Sequence, residues 1–191
     1  MKSLLIVGAG GHGRSVAETV LAGHVFNLVG FVDDAAPGLA KVWDWPVIGT
    51  TASLERYRSK ADAAIVAIGN NSLREILFDR LVDLGFELPT LIHPGAIVSS
   101  RAVIGAGSVI MARAVVGTEA HLGAGVIVNS GAVVDHHCHV GDFGHLGVNA
   151  AMAGGAMLGR AAWMQAGSVL GYGVRVEDGA VLVPGRALHV S

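Results

Sequence analysis

From Ile92 to Leu188, every sixth residue of this chain is aliphatic or methionine, and the phase never slips. Four residues past each of these positions stands a small residue or Val, from Ala96 to Ala180. Gly often follows the large residue, as at Gly105, Gly123 and Gly141. Two registers that agree over such a length describe a coil with a flat face and a corner in each hexapeptide. The large side chain fills the interior, and the small one lets the chain turn inside it. Three hexapeptides close one turn, so each residue stacks on its counterpart three hexapeptides on, at roughly the strand spacing of 4.8 Å. No single coil can bury its own face, so stability has to come from stacking. A chain with 28 Gly and 5% aromatics suits a core tiled by Val, Ile, Leu and Ala. The repeat therefore predicts an all-β parallel β-helix over residues 91–191. It does not set the hand of the coil, although general chirality rules favour right-handed crossovers.

Residues 1–90 read differently. Ser3–Val7, Leu28–Val32 and Ala63–Ile68 are apolar runs of strand length. Gly13–Ala22 and Ser72–Leu84 carry helical spacing, the second with Leu73, Ile76, Leu77, Leu81 and Leu84 on one face. Glu87–Ile92 is a fourth apolar run. Strands that alternate with helices predict an α/β, Rossmann-like domain with a parallel sheet.

The formal net charge of −2 provides no basic field for nucleic acid or anionic lipid. A single cysteine, Cys138, excludes an internal disulfide framework and fits a reducing compartment. Met1–Val7 runs straight into a glycine loop and is too short for a signal peptide, and no stretch has the length of a membrane span. These features predict a cytoplasmic protein without membrane insertion.

Two constellations carry chemistry. Gly8-Ala9-Gly10-Gly11-His12-Gly13 fits G-x-G-x-x-G between a strand and a helix. There, close backbone and free N–H groups at a helix start attract phosphate oxygens. Asp33 follows about 20 residues on, at a strand end where dinucleotide folds place a ribose-binding acid. A dinucleotide ligand and a nucleotide sugar both fit this loop. The shortness of the half, which lacks a second mononucleotide unit, weighs against the dinucleotide. Asp33-Asp34 also fits a solvated turn, and Asn70-Asn71 a helix cap.

The second constellation is His136, His137, His139 and His145. A zinc site of the kind found in some β-helix trimers needs converging histidines, commonly with an H-x-x-x-x-H pair, and none occurs in this cluster. No metal is predicted. His139 stacks one full coil after His121, an arrangement that suits a structural pair. Histidine also suits general base catalysis near neutral pH.

The pattern V-I-G-A-G-S, V-V-G-T-E-A, H-L-G-A-G-V resembles the bacterial hexapeptide transferases. That resemblance implies a left-handed β-helix and a homotrimer with active sites in clefts between neighbouring coils. The whole chain resembles the sugar acetyltransferases of the PglD, NeuD and perosamine N-acetyltransferase type. The anchors are V-G-A-G-G-H-G at Val7–Gly13, F-V-D-D at Phe31–Asp34, A-I-G-N-N at Ala67–Asn71 and N-S-G-A-V-V-D-H-H-C-H-V-G-D-F-G-H at Asn129–His145. The resemblance implies acetyl-CoA as co-substrate and a nucleotide sugar as acceptor, in bacterial surface glycan biosynthesis. Gly10, Gly11, His12, Asp33, Asp34, Gly69 and Asn70 would hold the nucleotide sugar. His136 would be the base, and His145, Ala166, Pro184 and Asn129 would meet the cofactor, with Trp163 beside His145 as a groove wall.

This chain departs from that family pattern at two places. The acid usual after the base is His137 here, and the tail Leu182–Ser191 is shorter than the segment that covers CoA in the family. Asp135 precedes the base, but neighbours on an extended coil face opposite ways. Gly154, stacked under His136, leaves room for a cofactor arm. Cys138 occupies an inward small position, which disfavours a covalent acetyl-cysteine. Sugar O-acetylation of the sialic-acid type, or non-catalytic nucleotide-sugar binding, are the alternatives.

Overall fold

The computed structural model describes residues 1–36 and 38–189. The last two residues of the tail discussed above, Val190 and Ser191, lie outside the described residues. The chain forms two compact units, Met1–Pro89 and Thr90–Ser191.

The first unit is built on β1 (Lys2–Val7), α1 (Gly11–Gly23), β2 (Phe26–Val32), β3 (Lys41–Val42), β4 (Trp45–Gly49), β5 (Ala63–Val66) and α2 (Asn71–Asp83). Its sheet has the order β3-β4-β2-β1-β5, with β1 parallel to both β2 and β5. The centre of β1 is fully buried from Leu4 to Val7, as a strand covered on both faces should be. Leu54, Leu77, Leu81 and Phe86 pack against this sheet. β3 and β4 form an antiparallel pair that the apolar pattern did not announce, with Trp43 in left-handed conformation between them at φ 51. Two residues and a strand containing Pro46 are too short and irregular to show alternation.

Helix α2 buries a different stripe from the one its leucines suggest. Arg74, Leu77 and Leu81 face inward, while Leu73 and Ile76 are 44% and 64% exposed. The stripe begins on an arginine because its guanidinium finds acceptors inside. It donates to the carbonyls of Ile68 and Gly69 and to Asn71 Oδ1. A buried charge is tolerated where such partners are supplied.

The second unit is the left-handed β-helix. Two-residue strands from successive coils stack into three parallel sheets, of six, five and six strands among the described residues. The six-residue step is the interior. Leu122, Val128, Val134, Val140, Leu146, Met152 and Leu158 are all at most 3% exposed, and the small residues between them, such as Ala132 and Cys138, are fully buried. Backbone N–H groups pair with carbonyls one coil on, as from His139 to Ala156 and from Gly141 to Leu158. Each corner turns through one left-handed residue, again in steps of six, from Gly107 to Gly185. Several corners place a non-glycine residue there, including Glu119 and His137, both at φ 57.

Candidate active site

The glycine loop lies between β1 and α1. A Cβ on Gly13 would fall 2.0 Å from the carbonyl oxygen of Gly8, so only glycine permits this approach of helix to strand. The N-cap of α1, Gly10, has no side-chain cap, which leaves the first helical N–H groups to a ligand. The pocket in front of them has a volume of about 410 Å³ and is lined by Gly10, Gly11, His12, Asp33, Asp34 and Gly69, among others. Six of the sequence candidates thus meet in one place. The seventh, Asn70, is outside this lining and caps α2, its Oδ1 accepting the Leu73 N–H at 2.9 Å.

Both aspartates are held by the backbone. Asp33 accepts from Ala9 N–H at 2.7 Å through one oxygen and from Ala35 N–H at 2.8 Å through the other. Asp34 accepts from the N–H and the hydroxyl of Thr51, each at 2.8 Å. They fix the mouth of the pocket and add negative charge to its rim. Burial, reinforced by Arg74, pushes the His12 imidazole down to about 4. His12 is therefore neutral around pH 7 and meets a ligand as a hydrogen-bonding group, not as a cation. Arg74 itself, drawn down to about 10 by burial, stays charged. It orders the strand-to-helix turn at Ile68–Asn71, a role the sequence reading missed. The signal was there, in an arginine spaced three and seven residues before Leu77 and Leu81.

On the β-helix, His136 stands at the corner between the strands Val133–Val134 and His139–Val140. Its side chain is 47% exposed. Two expectations are corrected here. Asp135 does not face away. Its Oδ1 accepts the His136 N–H at 2.7 Å, and its Oδ2 lies 3.7 Å from His136 Nε2. The alternation rule fails because the chain is turning at this corner and is not extended. Nor does Gly154 leave room for a cofactor. A Cβ there would sit 2.3 Å from His136 Cε1, so the imidazole itself fills the space above the glycine.

His136 Nδ1 lies 3.0 Å from His137 Nδ1, and His137 Nε2 lies 2.9 Å from Glu119 Oε2. Glu119 escaped the sequence reading although it is three hexapeptides before His137, hence one coil below it in the same column. His121 and His139 stack as foreseen, with ring centroids 5.0 Å apart and nearly parallel. Cys138 is buried, and burial pushes its thiol up, so it presents no thiolate nucleophile.

His145 pairs with Ile127 on one side and Trp163 on the other, its ring stacked on the indole at 5.4 Å. It is only 6% exposed. Ala166 and Pro184 are exposed and one coil apart on one corner ridge, and Asn129 lies on the neighbouring column of that corner. This is the corner after the sheet of Ile127, His145 and Trp163, one flat face away from His136 in the same coil. Among the described residues, no cluster of His, Cys, Asp or Glu has a geometry that would hold a metal ion. No helix among them is long and apolar enough to cross a membrane.

A Rossmann-like pocket followed by a hexapeptide coil with an exposed corner histidine defines an acyltransferase of the hexapeptide-repeat class. Residues 3–81 match the PglD N-terminal domain. Over 113 residues the chain is 41% identical to UDP-N-acetylbacillosamine N-acetyltransferase of Bacillus subtilis (strain 168), a match covering 59% of this chain and 52% of that protein. The chain thus matches about half the length of that relative. The acetyltransferase domain of PglB from Neisseria gonorrhoeae FA1090, solved in complex with acetyl coenzyme A, is 38% identical with a TM-score of 0.82, over 99% of this chain and 96% of that one. PerB from Caulobacter crescentus, solved with CoA and GDP-perosamine, is 34% identical with a TM-score of 0.86, over 98% and 91%. The chain belongs to the hexapeptide-repeat sugar acetyltransferases of the PglD and perosamine N-acetyltransferase type.

Proposed function

We propose that this protein transfers the acetyl group of acetyl-CoA to the amino group of a nucleotide-activated sugar, in the cytoplasm and in the service of surface glycan synthesis, with His136 as general base. The observation that carries the reading is the exposed imidazole of His136, seated on Gly154 at a coil corner, in a chain that also holds a glycine-walled pocket at its strand ends. Relatives with these two units carry acetyl-CoA in one case and CoA with GDP-perosamine in the other.

The pocket at Gly10–His12 and Gly69 suits the nucleotide part. Its helix N–H groups receive the phosphates, and the neutral His12 adds no repulsion to a donor group. The CoA arm runs along the ridge of Asn129, Ala166 and Pro184, beside Trp163. In one coil that ridge and His136 occupy different corners. A homotrimer brings the ridge of one copy to the His136 of the next, which is why the site is completed between copies.

The chemistry balances with one base. The sugar amine forms a C–N bond to the thioester carbonyl carbon, and His136 Nε2 takes the proton that nitrogen sheds. The tetrahedral oxyanion collapses, the C–S bond breaks, and the sulfur leaves with the proton from His136. The products are the acetamido sugar and CoA thiol. A positioned base is worth about 10²- to 10⁴-fold in rate.

His136→Ala, assayed with acetyl-CoA and nucleotide-linked amino sugars, should lose turnover by that factor while calorimetry shows nucleotide-sugar affinity unchanged. Unchanged turnover would remove His136 from the mechanism. Turnover by the native enzyme on a hydroxyl sugar but not an amino sugar would replace N-acetylation with O-acetylation. Binding of the nucleotide sugar without any binding of acetyl-CoA would make the protein a non-catalytic binder.

A further inference from the structure

The geometry points to Glu119 and His137 as a relay that sets which nitrogen of His136 carries its proton, which makes them positioning residues for the base. The inference rests on the reading of His136 given above.

Glu119 Oε2 and His137 Nε2 are 2.9 Å apart. A carboxylate only accepts, so His137 Nε2 must hold a proton at this distance. In a neutral imidazole the other nitrogen, Nδ1, then has a lone pair and accepts. His137 Nδ1 is 3.0 Å from His136 Nδ1, and two lone pairs cannot face each other there. His136 Nδ1 must therefore donate, which leaves His136 Nε2 unprotonated. That lone pair is the one a general base needs. The opposite arrangement would turn His137 Nε2, bare, toward the carboxylate. Asp135 does not override this ordering, because its Oδ2 is 3.7 Å from His136 Nε2, beyond hydrogen-bond length.

The relay also fits the reaction. When His136 Nε2 takes the proton from the sugar amine, Nδ1–H still donates to His137, and the Glu119 carboxylate lies at the far end of the chain to offset the new positive charge. No atom of the relay changes its bonding. The proton goes on from His136 Nε2 to the departing sulfur.

The fold provides the alignment. Glu119 and His137 are three hexapeptides apart, so they stack in one corner column. Both adopt the left-handed conformation at φ 57, in a position that several other corners fill with glycine. These two residues on adjacent coils are paired with each other and lead to the base. Their backbones are further tied to the coil, with the His137 N–H donating to the Thr118 carbonyl and His121 Nδ1 lying 3.0 Å from the Glu119 carbonyl.

The test is Glu119→Gln in the full chain. It keeps the shape but no longer dictates the His137 tautomer. Its kcat should fall about 10- to 100-fold with KM for both substrates unchanged. In the ¹⁵N-histidine spectrum of the native protein, His136 should carry its proton on Nδ1 and His137 on Nε2, and Glu119→Gln should mix these forms. A rescue separates this role from a structural one. In Glu119→Gln/His137→Asp, an aspartate oxygen stands about where His137 Nδ1 now accepts, and Asp tolerates the left-handed corner. That variant should recover at least about tenfold of the lost kcat. Full activity in Glu119→Gln alongside an inactive His136→Ala overturns the relay and leaves the base intact. A native spectrum with protons on both His137 nitrogens, or with the His136 proton on Nε2, overturns the relay without reference to turnover. An active His136→Ala overturns the base, and with it the catalytic meaning of the relay.

Discussion

The two units place their functional groups in opposite ways. In the N-terminal unit the polar side chains of the pocket are buried or tied to backbone. Asp33 holds Ala9 and Ala35, Asp34 holds Thr51, and His12 is driven to its neutral form. In the β-helix the imidazole of His136 is half-exposed and hangs from a corner whose interior is apolar, Cys138 included. One unit lines its pocket with backbone that its side chains have shaped. The other displays a side chain that neighbouring corner residues hold, on a coil whose interior it does not enter. Loss of a pocket residue should therefore disturb local order and binding together, whereas loss of a corner residue should disturb chemistry alone.

The largest expected effect probes the scaffold. Leu146 is fully buried in the coil interior. Leu146→Ala should cost about 2–5 kcal/mol by denaturant titration. Because each coil touches only its neighbours, hydrogen exchange should quicken around residues 128–164 and stay unchanged in residues 1–89. Quickening throughout the first unit would show that the two do not respond separately.

The second effect is a pH dependence of the first unit. Folded His12 titrates at about 4, against an ordinary 6.5. Between those values the unfolded chain holds the proton that the folded one refuses. Stability is therefore full above the ordinary value and falls as pH drops from 6.5 toward 4, by up to roughly 3 kcal/mol. Thermal melts of the native protein and His12→Asn across that range should diverge, with the variant less dependent on pH. Parallel curves would remove His12 as the cause.

Gly154→Ala sharpens the contrast at the other site. The new methyl's three nearest neighbours are all atoms of the His136 ring, the movable end of a side chain. Melting should barely change, while kcat should fall about 10- to 100-fold as the imidazole is displaced. Loss of stability without loss of rate would reverse the assignment of this glycine.

Asp33→Asn has the smallest expected effect. It weakens a charge-assisted bond to the glycine loop and should cost about 1 kcal/mol of stability. Nucleotide-sugar affinity should weaken with it by roughly fivefold, since about 1.4 kcal/mol is a factor of ten. Reduced affinity with an unchanged melt would make Asp33 a ligand contact and not a brace.

The six-residue spacing already dictates the β-helix, its register and its columns. A residue there has its neighbours one full coil away in either direction, so stacking of His121 on His139, or of His145 on Trp163, is simple counting. The same counting would have found Glu119 beneath His137. The sequence also dictates the glycine loop, because only glycine satisfies the backbone there. Only the tertiary structure decided what happens at corners and inside the first unit. The chain turns at Asp135–His136, so alternation no longer says where a side chain points, and the carboxylate came round to His136. Arg74 displaced the leucine stripe of α2 because carbonyls at a strand end, brought there by the packing of the sheet, satisfy its charge. The room above Gly154 was filled by the His136 ring, whose Nδ1 lies 3.0 Å from His137 Nδ1. Periodic contacts are written in the spacing of residues, whereas turns and buried polar groups are settled by partners that only the assembled fold supplies.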